Sequence, residues 1–125
     1  SEITTEDDIQ SPHTVKVVFN LKGRVLYFSR YPIPSALINE RKHPVYRQVP
    51  ILGFRSDFCI KLSSLSEGPL EIQESIDLIR AVEHDMPLHI LITEYQTIGV
   101  DTPADLRNVE KALETDAVYK EYSSN

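Results

Sequence analysis

Length, composition and charge narrow the classes of protein to which this chain can belong. Its 125 residues suffice for one domain with a modest core, and its 41% hydrophobic and 26% charged residues are ordinary for a globular protein. The formal net charge of -6 argues against a nucleic-acid-binding protein, which needs a basic surface. The single cysteine, Cys59, excludes an internal disulfide bond, and its apolar neighbours predict a buried, inert thiol.

The ends of the chain differ in character from its middle. The first ten residues hold four acidic side chains and no basic one, which predicts a polar segment or linker over residues 1–12. We expect a domain over residues 13–113 and a polar tail over 114–125. Because Ser1 is not a natural start, we expect the chain to be a piece of a longer polypeptide. No signal peptide or membrane-length apolar run is visible, which favours a cytoplasmic protein.

The first elements along the chain form a predicted β-hairpin. Residues 15–19 are rich in β-branched side chains, and residues 24–29 repeat this character after a turn that contains Gly23. Residues 35–46 are polar and lack a helical or strand pattern, so we expect a long loop that is functional, mobile or in contact with a partner.

The middle of the chain predicts further strands and helices. A third strand is expected over residues 49–54, followed by a helix that Ser56 caps and that ends near residue 65. Residues 70–85 predict one amphipathic helix. Its buried stripe would consist of Ile72, Ile76, Ile79 and Val82. Alternation over residues 88–93 predicts a fourth strand, and strands mixed with helices indicate an α/β sandwich.

The clearest candidate for chemistry is Asp101. Thr102 and Pro103 predict the start of a helix that ends near residue 113, so Asp101 lies just outside that helix, on the loop after the fourth strand. A carboxylate in this place is suited to hold a divalent cation. The alternative is an acidic residue that only complements the helix dipole, and spacing alone favours that alternative.

Five sequence blocks occur in an order and spacing that resemble one known family. They lie at residues 15–19, 25–34, 52–55, 69–80 and 99–103 and include the runs Val-Lys-Val-Val-Phe, Tyr-Phe-Ser-Arg and Gly-Val-Asp-Thr-Pro. In this order they are similar to the 3-deoxy-manno-octulosonate cytidylyltransferases (CMP-KDO synthetases), from about residue 11 to about residue 113. The resemblance covers only the C-terminal half of such an enzyme.

The resemblance implies a fold, an activity and a cofactor. The fold would be the C-terminal portion of a three-layer α/β nucleotidyltransferase, with a β-hairpin, two further strands and three helices. The enzyme would transfer a cytidylyl group from CTP to a 2-keto-3-deoxy sugar acid and release pyrophosphate, for lipopolysaccharide or capsule synthesis. Asp101 would be a catalytic residue and a Mg2+ ligand, paired with an aspartate of the N-terminal half. The family also implies a homodimer, without nucleic-acid or membrane partners.

Five further positions correspond to positions of the family's sugar-acid site, and four of them carry a different residue. Arg30 would hold the sugar carboxylate through its guanidinium fork, the alternative being an ion pair at the end of a strand. Gln48 stands where the family has histidine, Leu52 where it has tyrosine, and the pair Asp77 and Leu78 where it has Glu-Gln. The acids of the predicted helix at residues 70–85 also fit an ordinary solvated face. Because Leu52 and Leu78 cannot hydrogen-bond through their side chains, we expect a sugar acid related to KDO but different from it, deoxygenated or acylated at the matching carbon.

Two functions therefore remain open at this point. The first is a sugar-acid cytidylyltransferase, and the second is a non-catalytic binding or dimerisation module derived from the same fold. Retention of Arg30 and Asp101 favours the enzyme. We expect the isolated chain to be inactive, since the family's CTP-binding elements precede the matched segment.

Overall fold

The computed structural model describes residues 1–38, 40–95, 98–100 and 103–123, which fall into two compact units, Ser1–Tyr95 and Gln96–Asn125. The strands of the first unit are β1 (Lys16–Phe19), β2 (Val25–Ser29) and β3 (Tyr46–Arg47). Its helices are α1 (Glu6–Gln10), α2 (Ser56–Ser63), α3 (Pro69–Glu74) and α4 (Ile79–Glu83). The second unit holds α5 (Pro103–Thr115) and α6 (Ala117–Ser123). Helices and a small antiparallel sheet confirm an α/β protein.

The predicted β-hairpin is confirmed. Strands β1 and β2 pair in antiparallel fashion, with Val17 opposite Phe28. The turn depends on Gly23, whose φ of 77° is in the left-handed region that favours glycine. Asn20 fixes the same turn, because its side-chain oxygen accepts hydrogen bonds from the backbone N–H groups of Lys22 and Arg24, at 2.9 and 3.0 Å.

The third strand lies earlier than predicted. Strand β3 pairs with β1, so that the sheet order is β2-β1-β3, and residues 49–54 are irregular. Pro50 has no N–H to donate to a ladder, and the N–H of Ile51 turns back to the carbonyl of Val49 at 2.8 Å. The prediction of a strand over 49–54 was therefore wrong.

The predicted fourth strand is reduced to a single antiparallel bridge between Arg24 and His89. Two backbone hydrogen bonds flank that bridge, from Val25 to the carbonyl of Leu88 and from Ile90 to the carbonyl of Gly23. Residues 88–92 thus lie beside the hairpin turn without extending the sheet. Two strands were expected beyond the hairpin, and the described residues contain one, β3.

The predicted helix over residues 70–85 is broken in two. Helix α3 ends at Glu74, Ser75 adopts a left-handed conformation with φ 54° and ψ 53°, and α4 begins at Ile79. This break rotates the apolar stripe, so that Ile79 is fully buried whereas Ile72 is 64% exposed. The described residues hold six helices in place of the three that were expected.

Two groups of buried side chains form the core of the first unit. The larger lies between the hairpin and the residues that join α3 to α4: Val17, Val25, Phe28, Ile76, Leu78 and Ile79. The smaller contains Ile3, Ile9 and Val45. Residues 1–12, predicted as a polar segment or linker, therefore carry helix α1, which the Thr5 side chain caps, and two buried isoleucines.

Two local predictions around α2 were wrong. Arg55 occupies the N-cap position and Ser56 is the first helical residue, so Ser56 does not cap the helix. Cys59 is exposed, as is its neighbour Ile60 at 70%. In the second unit, α5 begins at Pro103 as predicted and ends two residues later than expected, and α6 occupies part of the predicted polar tail. Among the described residues, no helix has both the length and the apolar character to cross a membrane.

Candidate functional site

A cleft of about 290 Å³ lies beside the hairpin in the first unit. Its walls come from strands β1 and β2, from residues 46–54 and from residues 88–92. Apolar side chains such as Val17 and Phe28 line most of it, and Arg47, Gln48 and His89 add polar groups. A mainly apolar cleft with a few polar groups is typical of a small-molecule site.

Three of the sequence-predicted site residues meet in this cleft: Gln48, Leu52 and Leu78. Gln48 directly follows β3 and is half-buried. Its backbone N–H donates to the carbonyl of Val15 at 2.9 Å. Leu52 is 49% exposed and Leu78 only 7%. Leu78 is 26 or more positions from Gln48 and Leu52 in the chain, and the turn before α4 brings it to the surface that the irregular segment after β3 forms.

Asp77 lies at the edge of this arrangement. It precedes Leu78 in the turn between α3 and α4, is exposed, and is not among the residues that line the cleft. Its carbonyl accepts the N–H of Arg80 at 3.2 Å, which helps to start helix α4. Its carboxylate therefore stands in solvent next to a cleft-lining side chain.

Arg30 lies outside the cleft, and its guanidinium is engaged by the backbone. Nε donates to the carbonyl of Glu74 at 2.8 Å, Nη1 to that of Pro12 at 2.9 Å and Nη2 to that of Ser75 at 3.0 Å. All three guanidinium nitrogens thus donate to backbone carbonyl groups, and binding of a sugar carboxylate by Arg30 stays a prediction.

The sequence did not single out Glu74 as the partner of Arg30. The Glu74 carboxylate accepts the backbone N–H of Arg30 at 2.8 Å and the hydroxyl of Ser29 at 2.9 Å. Glu74 is one of the acids of the helix predicted over residues 70–85, and α3 ends at this residue. Hydrogen bonds across 44 residues leave no periodic signal in the sequence.

Lys16 is a second residue that the sequence did not single out. It is fully buried, and its ammonium donates to the carbonyls of Ser11, Thr14 and Arg30 at 2.8, 2.7 and 2.5 Å. Burial, with a smaller effect of the charge of Arg30, lowers the pKa of Lys16, and the charge of Glu74 acts in the opposite direction. A lysine in the strand pattern of residues 15–19 gives no hint of this role.

Helices α3 and α4 are joined by a cluster of charged side chains. Arg80 donates two hydrogen bonds to Glu71, which is 4% exposed. At the start of α3, the carboxylate of Glu83 accepts the backbone N–H groups of Leu70 and Glu71, both at 3.1 Å. These contacts hold the two short helices on either side of the turn that carries Asp77 and Leu78.

Asp101 and Thr102 lie outside the described residues. Within the part of the chain that the structure describes, no group of three or more His, Cys, Asp or Glu side chains could hold a metal ion. The structure therefore does not test the predicted Mg2+ ligand, Asp101.

The chain resembles curated 3-deoxy-manno-octulosonate cytidylyltransferases. It is 38% identical over 104 residues to the 3-deoxy-manno-octulosonate cytidylyltransferase of Solibacter usitatus, which covers 83% of this chain and 41% of that protein. It is 37% identical over 118 residues to the protein of that name from Thermodesulfovibrio yellowstonii, covering 90% and 46%. The chain thus spans about half the length of the curated relatives it matches. No family model matches it.

A solved structure shares both sequence and fold with the chain. CMP:2-keto-3-deoxy-manno-octonic acid synthetase, complexed with CTP, superposes with a TM-score of 0.81 at 32% identity, over 89% of this chain and 46% of that one. The resemblance of the five sequence blocks is thereby confirmed. This chain is a relative of the 3-deoxy-manno-octulosonate cytidylyltransferases, whose sequence and fold it shares over about half of their length.

Proposed function

We propose that this chain supplies the sugar-acid side of a CTP-dependent cytidylyltransferase. The full-length enzyme would activate a 2-keto-3-deoxy sugar acid, KDO or a close relative, as its CMP-sugar and release pyrophosphate, in lipopolysaccharide or capsule synthesis. The observation that supports this most is the convergence of Gln48, Leu52 and Leu78 on one cleft, in a chain that shares sequence and fold with such enzymes.

The polar groups of the proposed site would orient the sugar acid. The Gln48 amide can donate to one hydroxyl and accept from another, and Gln48 lines the cleft. Asp77, in solvent beside the cleft, can accept from a hydroxyl at the cleft's edge. Such contacts fix the substrate so that its anomeric hydroxyl faces the α-phosphorus of CTP.

The apolar groups of the site would set its selectivity. A sugar hydroxyl placed against the buried Leu78 side chain would lose its water without gaining a hydrogen bond, which is unfavourable. Leu52 presents a second apolar surface in the same cleft. We therefore propose that the preferred acid carries a deoxygenated or acylated carbon where KDO has a free hydroxyl.

Asp101 would be the Mg2+ ligand and catalytic residue that this chain contributes. Mg2+ would neutralise charge that develops on the phosphates, and it prefers oxygen ligands such as a carboxylate. The support for this part of the proposal is the sequence position of Asp101, between Gly99-Val100 and Thr102-Pro103. In the full-length protein, Asp101→Ala should abolish turnover while the protein stays folded; unchanged turnover would remove Asp101 from the mechanism.

We also propose a three-layer α/β fold for the full-length protein, a homodimer and a cytoplasmic location. The superposition on a solved CMP-KDO synthetase supports the α/β fold, and the dimer and the location rest on the expectations from the sequence. Light scattering over a micromolar concentration range tests the dimer, and a constant monomer mass would contradict it.

Pyrophosphate release by the full-length protein, with CTP, Mg2+ and KDO, tests the activity. Release that depends on both CTP and the sugar acid is the expected result. A folded protein that releases no pyrophosphate with KDO or with deoxygenated and acylated analogues would favour the alternative, a non-catalytic binding or dimerisation module. The apolar replacements at Leu52 and Leu78 would suit that alternative as well.

A further inference from the structure

The turn of residues 75–78 determines where two of the proposed substrate contacts lie. Ser75 is left-handed, and over the next three residues the chain places Ile76 in the core, Asp77 in solvent and Leu78 in the wall of the cleft. A change of backbone angle at Ser75 would move Asp77 and Leu78 together. The position of both side chains therefore depends on what holds this turn.

Arg30 holds the turn from the side of the sheet. The last carbonyl groups of a helix have no donor within the helix, and cationic side chains satisfy them well. Nε and Nη2 of Arg30 donate to two such carbonyls, those of Glu74 and Ser75, on either side of the point where α3 ends. Nε and Nη2 are the pair of guanidinium donors that would bind a carboxylate side-on, and both already donate to backbone carbonyls.

Glu74 and Lys16 fix the position of Arg30 through hydrogen bonds to its backbone. The Glu74 carboxylate accepts the backbone N–H of Arg30 at 2.8 Å, so the two residues bind each other in both directions. The ammonium of the buried Lys16 donates to the carbonyl of Arg30 at 2.5 Å. Strand β1, the end of β2 and the end of α3 are thus connected through three side chains.

We infer that Lys16, Arg30 and Glu74, here called the Arg30 clamp, position the turn of residues 75–78 for binding of the sugar acid. This inference rests on the proposed function and replaces the predicted role of Arg30 as a ligand of the sugar carboxylate. Arg30 lies outside the cleft-lining residues, and each of its three guanidinium nitrogens already donates to a carbonyl. Arg30 is therefore a positioning residue that acts on the substrate through Asp77 and Leu78.

Steady-state kinetics of the full-length protein test this role. Arg30→Met and Glu74→Ala should each raise the KM for the sugar acid about tenfold and leave the KM for CTP within about twofold, since a displaced turn weakens only sugar contacts. The double variant should show less than the product of the two single effects, because both changes break one clamp. Arg24→Met is the matched control, since Arg24 directly precedes β2 as Arg30 directly follows it, and pairs with Asp85 on the surface; it should change neither KM.

The Glu74 variant separates positioning from direct binding. A carboxylate repels an anionic sugar acid, so its removal raises the KM for that acid only if Glu74 acts through the groups that it holds, Arg30 and the turn. A rise with Arg30→Met but none with Glu74→Ala would make Arg30 a direct ligand and overturn the inference. Failure of the wild-type protein to turn over any sugar acid would instead reject the proposed function.

Hydrogen exchange tests the clamp independently of activity. In Arg30→Met, the amides of residues 75–79 should exchange at least about fivefold faster than in the wild-type protein, whereas those of residues 45–47 should keep their rates. Unchanged exchange over residues 75–79 would overturn the inference whatever the kinetics show.

Discussion

Arg80 and Glu71 form a bidentate pair in which Nε and Nη2 lie 2.8 and 2.5 Å from the two carboxylate oxygens. Nine residues separate them, and they belong to different helices, α4 and α3. Because Glu71 is 4% exposed, its charge depends on this partner. The pair joins the two helices that flank the turn of residues 75–78.

The Glu71 carboxylate should make the stability of the protein depend on acid pH. Hydrogen bonds from Arg80, and its charge, hold the pKa of Glu71 below its ordinary value of 4.5. A folded-state pKa below the unfolded value stabilises the protein above about pH 4.5, and this contribution disappears as the pH falls through the lower folded value. Urea unfolding of the full-length protein at about pH 7 and about pH 3 measures the effect.

Glu71→Gln should therefore lower the urea midpoint at neutral pH and lower it less at about pH 3, below the ordinary pKa of 4.5, where the charge of Glu71 contributes less to stability. Glu94→Gln, which changes an exposed carboxylate, is the control and should leave both midpoints in place. An equal loss at both pH values for Glu71→Gln would mean that shape, and not charge, accounts for the role of Glu71.

Ser75→Gly should stabilise the protein. Ser75 has φ 54°, a conformation that glycine adopts without steric cost, so we expect a gain of about 0.5–1 kcal/mol in the free energy of unfolding. Gln73→Gly, two residues earlier in α3, should instead lose about 1 kcal/mol. Urea unfolding measures both changes, and a loss of stability in Ser75→Gly would show that the serine side chain is required at the turn.

Ile79→Ala should destabilise the protein strongly. Ile79 is fully buried in the core between the hairpin and α4, so its truncation leaves a cavity that costs about 2–5 kcal/mol. Leu21→Ala removes a side chain that is fully exposed at the hairpin turn and should change the stability by less than about 0.5 kcal/mol. Thermal unfolding compares the two, and similar losses would contradict the described core.

Leu78→Gln should shift the selectivity of the full-length enzyme toward KDO. The new amide would lie in the wall of the cleft and could hydrogen-bond a hydroxyl that Leu78 leaves without a partner. We expect the ratio of kcat/KM for KDO to that for a deoxygenated analogue to rise by at least about tenfold. Leu70→Gln, on α3 and away from the cleft lining, should leave this ratio unchanged. An unchanged ratio in Leu78→Gln would remove Leu78 from the specificity of the site.

Features that depend on neighbouring residues were predictable from the sequence. Gly23 and Asn20 define the hairpin turn within five residues, and Pro103 marks the start of α5. The break at Ser75 was not predictable, because it depends on Arg30, 45 residues away, which supplies the donors that the end of α3 lacks. The periodic stripe from Ile72 to Val82 suggested a continuous helix for the same reason: hydrophobic periodicity carries no information about distant donors.

The candidate site was predictable in part. The likeness to cytidylyltransferases selected Gln48, Leu52 and Leu78, which the structure brings to one cleft. It could not indicate that Arg30 donates to backbone carbonyls, because a residue type alone does not reveal which atoms it contacts. The roles of all these residues in binding remain predictions.

The burial of Lys16 has a practical consequence. An ammonium that is fully enclosed and donates to three carbonyls has no accessible lone pair for an amine-reactive reagent. Acylation of Lys16 would therefore require the base of the hairpin to open. The rate at which mass spectrometry detects the acyl group on Lys16 would then report the rate of that opening.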